Sequence, residues 1–339
     1  MRQIIGVVAV LLLLPAVTSA QEHQTARFDS LISVSVLLSE QALFGANFRD
    51  AEKHVDISHF EEFNAFQISH ELKLTIQNLR IQSFKSILLR RDNDWDEGLQ
   101  KLLELRSVAT KMDDKSTLGD YFDALSSAYR ATGRSDSAFY FENRALQLYE
   151  EAGNAKKVAQ VRGRQISRRH NNFQAADNSE EVIKLIPEYQ KEIEFARGCG
   201  NKYVLAYNTR HLAQIHRQQT HNYQEALRLF QISLELREEI GFRIFLPASY
   251  SSVGDVCIKL GQNKKAADMY LRAIALADEI GFARYQFDPR IKLGDLYRDE
   301  SNFSEARRHY VEALKAASKN NHQEEIDAAL EKLEHLANR

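Results

Sequence analysis

Apolar and polar positions recur along the C-terminal half of the chain with a spacing of forty residues. The phrase EIGF ends at Phe242 and again at Phe282, and Gly254 stands forty residues before Gly294. Self-similarity at a fixed period is typical of architectures in which one supersecondary unit stacks on the next. The pattern therefore predicts a row of repeated units.

A short phrase, NFSEA, occupies residues 302–306, and close variants of it occur elsewhere in the chain. The variants begin at Asn47, Asp94 and Asn222. We interpret the phrase as the link inside a pair of helices, with Ser304 as the helix cap and Glu305 at the positive helix N-terminus. It predicts second helices that begin near Phe48, Trp95, Ser135, Ser179, Tyr223, Lys264 and Phe303.

The repeated residues resemble the signature of the tetratricopeptide repeat, a helix–turn–helix unit. The best matches are Leu293, Gly294, Tyr297, Ala306, Tyr310 and Ala313. The resemblance implies an all-α fold, a right-handed α-solenoid of antiparallel helix pairs in which small residues lie where two helices cross. The units are longer than the usual 34 residues or so.

The pattern divides the chain into regions of different regularity. We predict a signal peptide over 1–20, divergent helical repeats over 21–113, regular repeats over 114–320 with an irregular unit at 155–200, and a capping helix over 321–339. The irregular unit contains Pro187, which favours a kinked second helix. The capping helix carries a stripe of Ile326, Leu330 and Leu333.

The first twenty residues have the layout of a cleavable secretory signal. Arg2 precedes an apolar run from Ile4 to Leu14, Pro15 follows, and small residues end at Ala20. The run is shorter than the roughly 20 residues that span a bilayer. We predict cleavage near Ala20 and a secreted or periplasmic protein without stable membrane insertion; an uncleaved anchor is the alternative.

The composition excludes some classes of partner. The chain has 45 basic and 47 acidic residues, so no net field favours nucleic acid. Only 4 Pro and 14 Gly occur among 339 residues, which favours helix. Cys199 and Cys257 lie in different units, and stacked pairs advance by about 8–10 Å, so we predict two free, buried thiols instead of a disulfide.

No residue pattern predicts catalysis or a bound cofactor or metal. The stretch Asp92–Gly98 looks like a calcium loop, but its Gly comes one residue late and the expected twelfth-position acid is Leu103. His211, His216 and His221 are five residues apart and cannot share one helix face, so we predict solvated or groove-lining roles. The signatures HExxH, GxSxG, GxGxxG and the P-loop are absent from the sequence, which predicts a protein that is not an enzyme.

The stretch from Lys156 to Asn172 is basic and contains no acid. A solvated outer face is one interpretation. The alternative is an anion-binding patch for an acidic peptide, a phosphate or a sulfated glycan. The residues of that patch would be Lys156, Lys157, Arg162, Arg164, Arg168 and Arg169.

The resemblance places a partner-binding groove along the first helices of the pairs. The groove residues that it implies are Arg130, Arg210, Gln214, Arg217, Asp255, Lys259, Asp295 and Arg298. The Lys and Asn clamp of family members that bind chaperone tails is not found at these positions, where pairs such as Arg210/Gln214 and Ser251/Asp255 stand instead. We therefore predict a different ligand.

Two functions follow from these observations. The first is a non-enzymatic scaffold or adaptor that binds a protein or peptide outside the cytoplasm. The second is an extracytoplasmic sensor or regulatory component of a bacterial signalling system, because long-helix repeat arrays resemble the sensing regions of some such proteins.

Overall fold

The computed structural model describes residues 20–56, 58, 70–78, 81, 95–111 and 113–337. The predicted signal peptide up to residue 19 and the residues Asp92–Asp94 lie outside this part of the chain. All regular structure in the described residues is helical, which confirms the predicted all-α fold. Within the same residues, no helix combines the length and the apolar character that a membrane crossing requires.

The chain forms two compact units that divide after Ala155. The helices of the first unit are α1 (Ala20–Phe44), α2 (Phe48–His54), α3 (Trp95–Glu104), α4 (Arg106–Ala109), α5 (Lys115–Ala131) and α6 (Ser135–Glu151), and residues 70–78 are also helical. Helix α5 packs along α6, and Tyr121 and Leu125 of α5 are buried with Leu99 and Leu102 of α3.

The second unit contains longer and more regular pairs. Its helices are α7 (Ala155–Ala175), α8 (Ser179–Lys184), α9 (Ile186–Gly198), α10 (Lys202–Gln218), α11 (Tyr223–Glu239), α12 (Leu246–Lys259), α13 (Asn263–Ile280), α14 (Asp288–Asp299), α15 (Phe303–Lys319) and α16 (Gln323–Ala337). The pairs α10/α11, α12/α13 and α14/α15 each pack along their length. This is the predicted solenoid of helix pairs.

The irregular unit is a pair whose second helix is divided. Helix α8 begins at Ser179 and ends before Leu185, and α9 begins at Ile186 with Pro187 in its first turn. Proline has no backbone N–H, so it starts a helix readily but cannot continue one. The second helix is therefore broken in two at Leu185.

The recurring phrase is a capping motif, but the cap is not the predicted residue. The side-chain oxygen of Asn302 accepts from the Glu305 N–H at 3.3 Å, so Asn302 is the N-cap and the assignment to Ser304 is wrong. The cap must precede the first helical residue so that its side chain reaches the third N–H. The same bond forms at Asn47, Asn178, Asn201 and Asn222.

Glycine allows the two helices of a pair to touch. A Cβ atom added to Gly254 would lie 2.7 Å from Cε1 of Tyr270, and one added to Gly294 would lie 2.5 Å from Cε1 of Tyr310. Both tyrosines are buried. The predicted role of small residues at the crossings is confirmed at these positions.

The last helix and the cysteines differ in part from the prediction. Helix α16 packs on α15, but its buried residue is Ala329. Leu330, which was placed on the inward stripe, is 49% exposed because it follows Ala329 by one residue and so turns outward. Both cysteines are free, as predicted; Cys257 is buried and Cys199 is partly exposed.

Candidate functional site

Polar contacts join the first helices of successive pairs in the second unit. The hydroxyls of Ser167 on α7 and Tyr207 on α10 share a hydrogen bond of 2.9 Å. The amide of Gln174 donates to Gln218 at 2.6 Å. We call the polar side chains of α7, α10, α12 and α14 that meet in this way the first-helix face.

Asp255 on α12 joins three other helices. It accepts from Arg217 of α10 at 2.7 Å, from Lys292 of α14 at 2.9 Å and from the hydroxyl of Tyr270 at 3.0 Å. The carboxylate is only 20% exposed. The predicted groove residues Arg217 and Asp255 thus lie together on the first-helix face and neutralise each other.

Asp295 repeats this arrangement one pair later. It accepts from Arg298 at 2.9 Å, from Lys332 of α16 at 2.8 Å and from the hydroxyl of Tyr310 at 2.7 Å. Arg298 also bonds to Asp299. The predicted residues Asp295 and Arg298 are therefore paired within the protein.

Arg210 and Gln214 have neutral partners. Arg210 donates to the Gln214 amide at 3.4 Å and to Nε2 of His211 at 3.0 Å. Gln214 donates in turn to Gln174 at 3.5 Å. Burial lowers the pKa of Arg210, and no ion pair among the described residues includes it. Of the charged groove residues predicted on the first-helix face, Arg210 is thus the one that is partly buried without an acidic partner.

Arg237, on the second helix α11, is a site residue that the sequence reasoning missed. Its side chain is 4% exposed, donates to the hydroxyl of Ser249 at 2.5 Å and lies 5.6 Å from the ring centre of Phe245. Burial, and next the charge of Arg210, lower its pKa to about 10. Within the described part of the chain, neither Arg237 nor Arg210 forms an ion pair.

Histidines and tyrosines form an aromatic cluster behind Arg210. The ring of His211 stacks on Tyr189 with centres 5.9 Å apart and meets Tyr207 edge-on at 4.6 Å. Nδ1 of His170 lies 3.2 Å from the Tyr189 hydroxyl. Burial lowers the pKa of His170 to about 4 and holds that of His211 well below its ordinary value. His211 is buried, so the solvated or groove-lining role predicted for it is wrong.

The other predicted histidines and groove residues have surroundings of their own. Nδ1 of His216 lies 3.2 Å from Oγ1 of Thr220. His221 lies in the link before α11, where its backbone is in the left-handed region. Lys259 is exposed in the last turn of α12. Arg130 lies on α5 of the first unit, 3.8 Å from Glu142.

The basic stretch on α7 is distributed around the helix. Arg169 pairs with Glu188, and Arg162 lies over the ring of Phe195 at 5.3 Å. The backbone carbonyl of Lys156 accepts from Asn201 at 2.9 Å. Lys157, Arg164 and Arg168 are partly buried. An anion patch formed by all six residues stays a prediction.

The described residues contain no group of three or more acidic, His or Cys side chains placed to hold a metal ion.

Comparison with known families identifies the repeats. The family model of the tetratricopeptide repeat matches residues 204–279, from α10 to α13. The chain contains tetratricopeptide repeats over residues 204–279. No curated protein matches the sequence.

Several solved structures have a similar fold. A signal transduction ATPase with a tetratricopeptide repeat sensor, from Pyrococcus horikoshii, is 12% identical over 96% of this chain and 57% of that chain, with a TM-score of 0.51. Aspartyl phosphate phosphatase F from Bacillus subtilis is 13% identical over 96% of both chains, with a TM-score of 0.47. NprR in complex with its cognate peptide NprX is 15% identical over 90% of this chain and 82% of that chain, with a TM-score of 0.47.

The tetratricopeptide repeat register shows the signal that would have revealed Arg237. Forty residues later the same position holds Ala277, and eighty residues later it holds Ala317, both fully buried. An arginine at a position where the repeat otherwise places a buried alanine is a departure from the pattern.

Proposed function

We propose that this protein is a non-enzymatic scaffold or adaptor that acts outside the cytoplasm and holds a peptide or a partner helix against the first-helix face. The observation that carries the proposal is the bonding of polar side chains across successive first helices, from Ser167 and Tyr207 to Asp255 and Lys292. Side chains already held in place lose little conformational entropy when a ligand binds. Helical repeat arrays also use such extended faces to bind partners.

The interaction can be tested at the centre of that face. We suggest capture of partners from the extracytoplasmic fraction with the wild type, with Arg210→Gln and Gln214→Ala together, and with Arg272→Gln. Arg272 is exposed on the second helix α13 and pairs only with Asp268 among the described residues, at 3.0 Å, so it is a matched control. Loss of a partner from the double variant alone supports the proposal. Identical partners from all three proteins would exclude the first-helix face.

Export is a separate part of the proposal. It is supported by the basic, apolar and small-residue segments that precede Gln21. The test is expression of the full chain followed by cell fractionation and mass spectrometry of the mature N-terminus. We expect a chain that begins at or near Gln21 outside the cytoplasm; an intact N-terminus in the cytoplasmic fraction would contradict export.

A sensor or regulatory component of a bacterial signalling system is the second candidate function. The observation that favours it is the similarity in fold to the Pyrococcus horikoshii protein, whose tetratricopeptide repeats are described as a sensor. Genes for signalling proteins beside the gene of this chain would favour the sensor, whereas envelope or secretion genes would favour the scaffold.

A further inference from the structure

Two large aromatic side chains are exposed next to each other on helix α6 of the first unit. Phe139 is 62% exposed and Tyr140 is 65% exposed, and they are the two most exposed of the large apolar side chains in the described residues. Single exposed apolar residues are common, but adjoining aromatic rings on a surface are typical of a site that binds another protein.

The repeat does not require an aromatic residue at this place. Each regular second helix has a fully buried alanine as its fourth residue, namely Ala138, Ala226, Ala266 and Ala306. Two residues later, three of these helices carry an exposed charged residue that is paired within its own helix: Arg228 with Glu225, Asp268 with Arg272, and Arg308 with Glu305. Helix α6 has Tyr140 there. The exposed ring is therefore a local departure from the repeat.

The ring of Tyr140 is held in place by an aromatic row that leads into the helix pair. It meets the ring of Phe141 edge-on, with centres 5.1 Å apart. Phe141 in turn stacks on Tyr129 of α5 at 5.4 Å and on Phe122 of α5 at 5.6 Å. A side chain that is already ordered loses little conformational entropy when a partner covers it.

An acid and a base lie on either side of Tyr140 along the same stripe of α6. Asp136, Tyr140 and Arg144 are all exposed and follow one another at intervals of four residues, so they share one helix face. Arg144 donates to the neutral side chain of Gln147 at 2.7 Å. Within the described residues, neither Asp136 nor Arg144 forms an ion pair. Each charge is therefore available to a partner.

This order of residues is its own complement when two copies of α6 cross antiparallel around a two-fold axis. An axis beside Tyr140 brings the two Tyr140 rings together, with Phe139 beside them. Because Asp136 and Arg144 are each four residues from Tyr140, Asp136 of each copy then faces Arg144 of the other copy. A parallel crossing would instead place Asp136 against Asp136, which is unfavourable.

We propose that two copies of this protein associate through α6 in an isologous dimer, with Phe139 and Tyr140 at its centre and Asp136–Arg144 pairs on both sides. The proposal is independent of the peptide-binding function above. A contact built around one helix from each copy is smaller than the roughly 1,200–2,000 Å² of a standard interface. We therefore expect a weak dimer, with a Kd of about 10–100 μM.

Sedimentation equilibrium of protein purified from cells that express the full chain tests the association, at concentrations from about 1 to about 300 μM. Phe139→Ser and Tyr140→Ser together should raise the dimer Kd at least about tenfold, because they remove the rings at the centre. Leu271→Ser is the matched control, since Leu271 is 45% exposed on the second helix α13, and it should leave the Kd unchanged.

A charge exchange tests the antiparallel arrangement. Asp136→Arg places two like charges opposite each other on both sides of the axis and should raise the Kd about tenfold. Adding Arg144→Asp to this variant restores opposite charges and should return the Kd to within about threefold of the wild type. Both proteins carry the same change in the first turn of α6, so a recovery cannot arise from the stability of the helix. Circular dichroism verifies that all variants are folded.

The outcomes decide between self-association and other uses of this face. A monomer at every concentration would overturn the proposal, and so would a dimer that the double serine variant leaves as tight as the wild type. Equal weakening by Leu271→Ser would show unspecific apolar association, and failure of the exchanged charges to restore the dimer would exclude the antiparallel pairing; each overturns the proposal. Capture of a different protein by a monomer, dependent on Phe139 and Tyr140, would replace the second copy with another partner and also overturn it.

Discussion

The ring of Tyr310 lies so close to the backbone of Gly294 that a Cβ atom at residue 294 would be 2.5 Å from the ring atom Cε1. Tyr310 is fully buried and its hydroxyl is bonded to Asp295, so the ring has little freedom to move. This contact fixes the closest approach of α14 and α15.

Replacement of Gly294 by Ala should therefore destabilise the protein. The overpacking penalty of about 1–3 kcal/mol exceeds the gain of about 1 kcal/mol in helix propensity. Gly198→Ala is the matched control, because a Cβ atom there meets nothing within 4 Å. Urea unfolding followed by circular dichroism should show a loss of stability for Gly294→Ala and none for Gly198→Ala. Equal stability of both variants would contradict the close contact.

The reassigned helix cap can be tested at Asn302. Asn302→Ala removes the bond to the Glu305 N–H and should lower the free energy of unfolding by about 1 kcal/mol. Ser304→Ala should change it by less than about 0.5 kcal/mol, because Ser304 lies inside the first turn and is exposed. If the Ser304 variant were the less stable of the two in urea unfolding, the original assignment of the cap would be restored.

Stability should depend on pH through the buried histidines. His170 and His211 are neutral in the folded protein because burial, together with the charge of Arg210, lowers the pKa of each. The unfolded chain takes up protons below the ordinary value of 6.5, so the unfolded state binds more protons and the free energy of unfolding falls on acidification. The loss reaches at most about 1.4 kcal/mol per pH unit for each histidine, over the range between 6.5 and about 4 for His170.

Denaturant midpoints at about pH 7 and about pH 5 measure this dependence. His211→Phe, which keeps an aromatic ring, should reduce the difference between the two midpoints. His335→Asn is a control, because His335 is 73% exposed. A His211 variant as sensitive to acid as the wild type would contradict a buried neutral histidine.

Asp255 should matter for stability as well as for binding. Asp255→Asn leaves Arg217 and Lys292 without their shared acceptor in a largely buried place, and we expect a loss of about 1–3 kcal/mol. Asp268→Asn breaks an exposed pair within one helix and should cost less than about 1 kcal/mol. Thermal unfolding of both variants provides the comparison, and equal midpoints would mean that Asp255 does not hold the pairs together.

Arg237→Met should raise stability. The substitution removes a buried charge that has no carboxylate partner in the described structure, and even buried charges that are paired can be replaced by apolar residues with a gain of about 1–4 kcal/mol. Sites that bind ligands are often less stable than the fold allows. A fall of more than about 1 kcal/mol in urea unfolding would show that the bond to Ser249 has a structural role that outweighs the buried charge.

The helix pairs and their links could be predicted because they depend on local chemistry that repeats. A small residue is needed where two helices touch, as at Gly254 and Gly294. Asparagine recurs in the link phrase because its side chain caps the helix that follows, as Asn302 does. The position of the cap was misjudged by two residues, since both Asn and Ser can serve as caps and the spacing alone does not choose between them.

The pairing of charges could not be predicted from the sequence. Arg217 and Asp255 were each assigned to a groove, but their mutual bond depends on how far apart successive first helices lie. Arg237 was missed because it lies on a second helix, where the repeat pattern places residues of the core. Its burial is set by side chains from three helices, which no short window of sequence brings together.

The bond between Lys332 and Asp295 has a consequence for the length of the array. Lys332 stands forty residues after Lys292, and each lysine reaches an aspartate 37 residues before it. Helix α16 therefore stands at the place of a first helix in the repeat. Its Lys332 binds Asp295 of α14 in the way that Lys292 of α14 binds Asp255 of α12. A forty-residue unit with a lysine and an aspartate at these two positions could be inserted between α15 and α16 and keep this ion pair on both of its sides, so the array is modular in this contact.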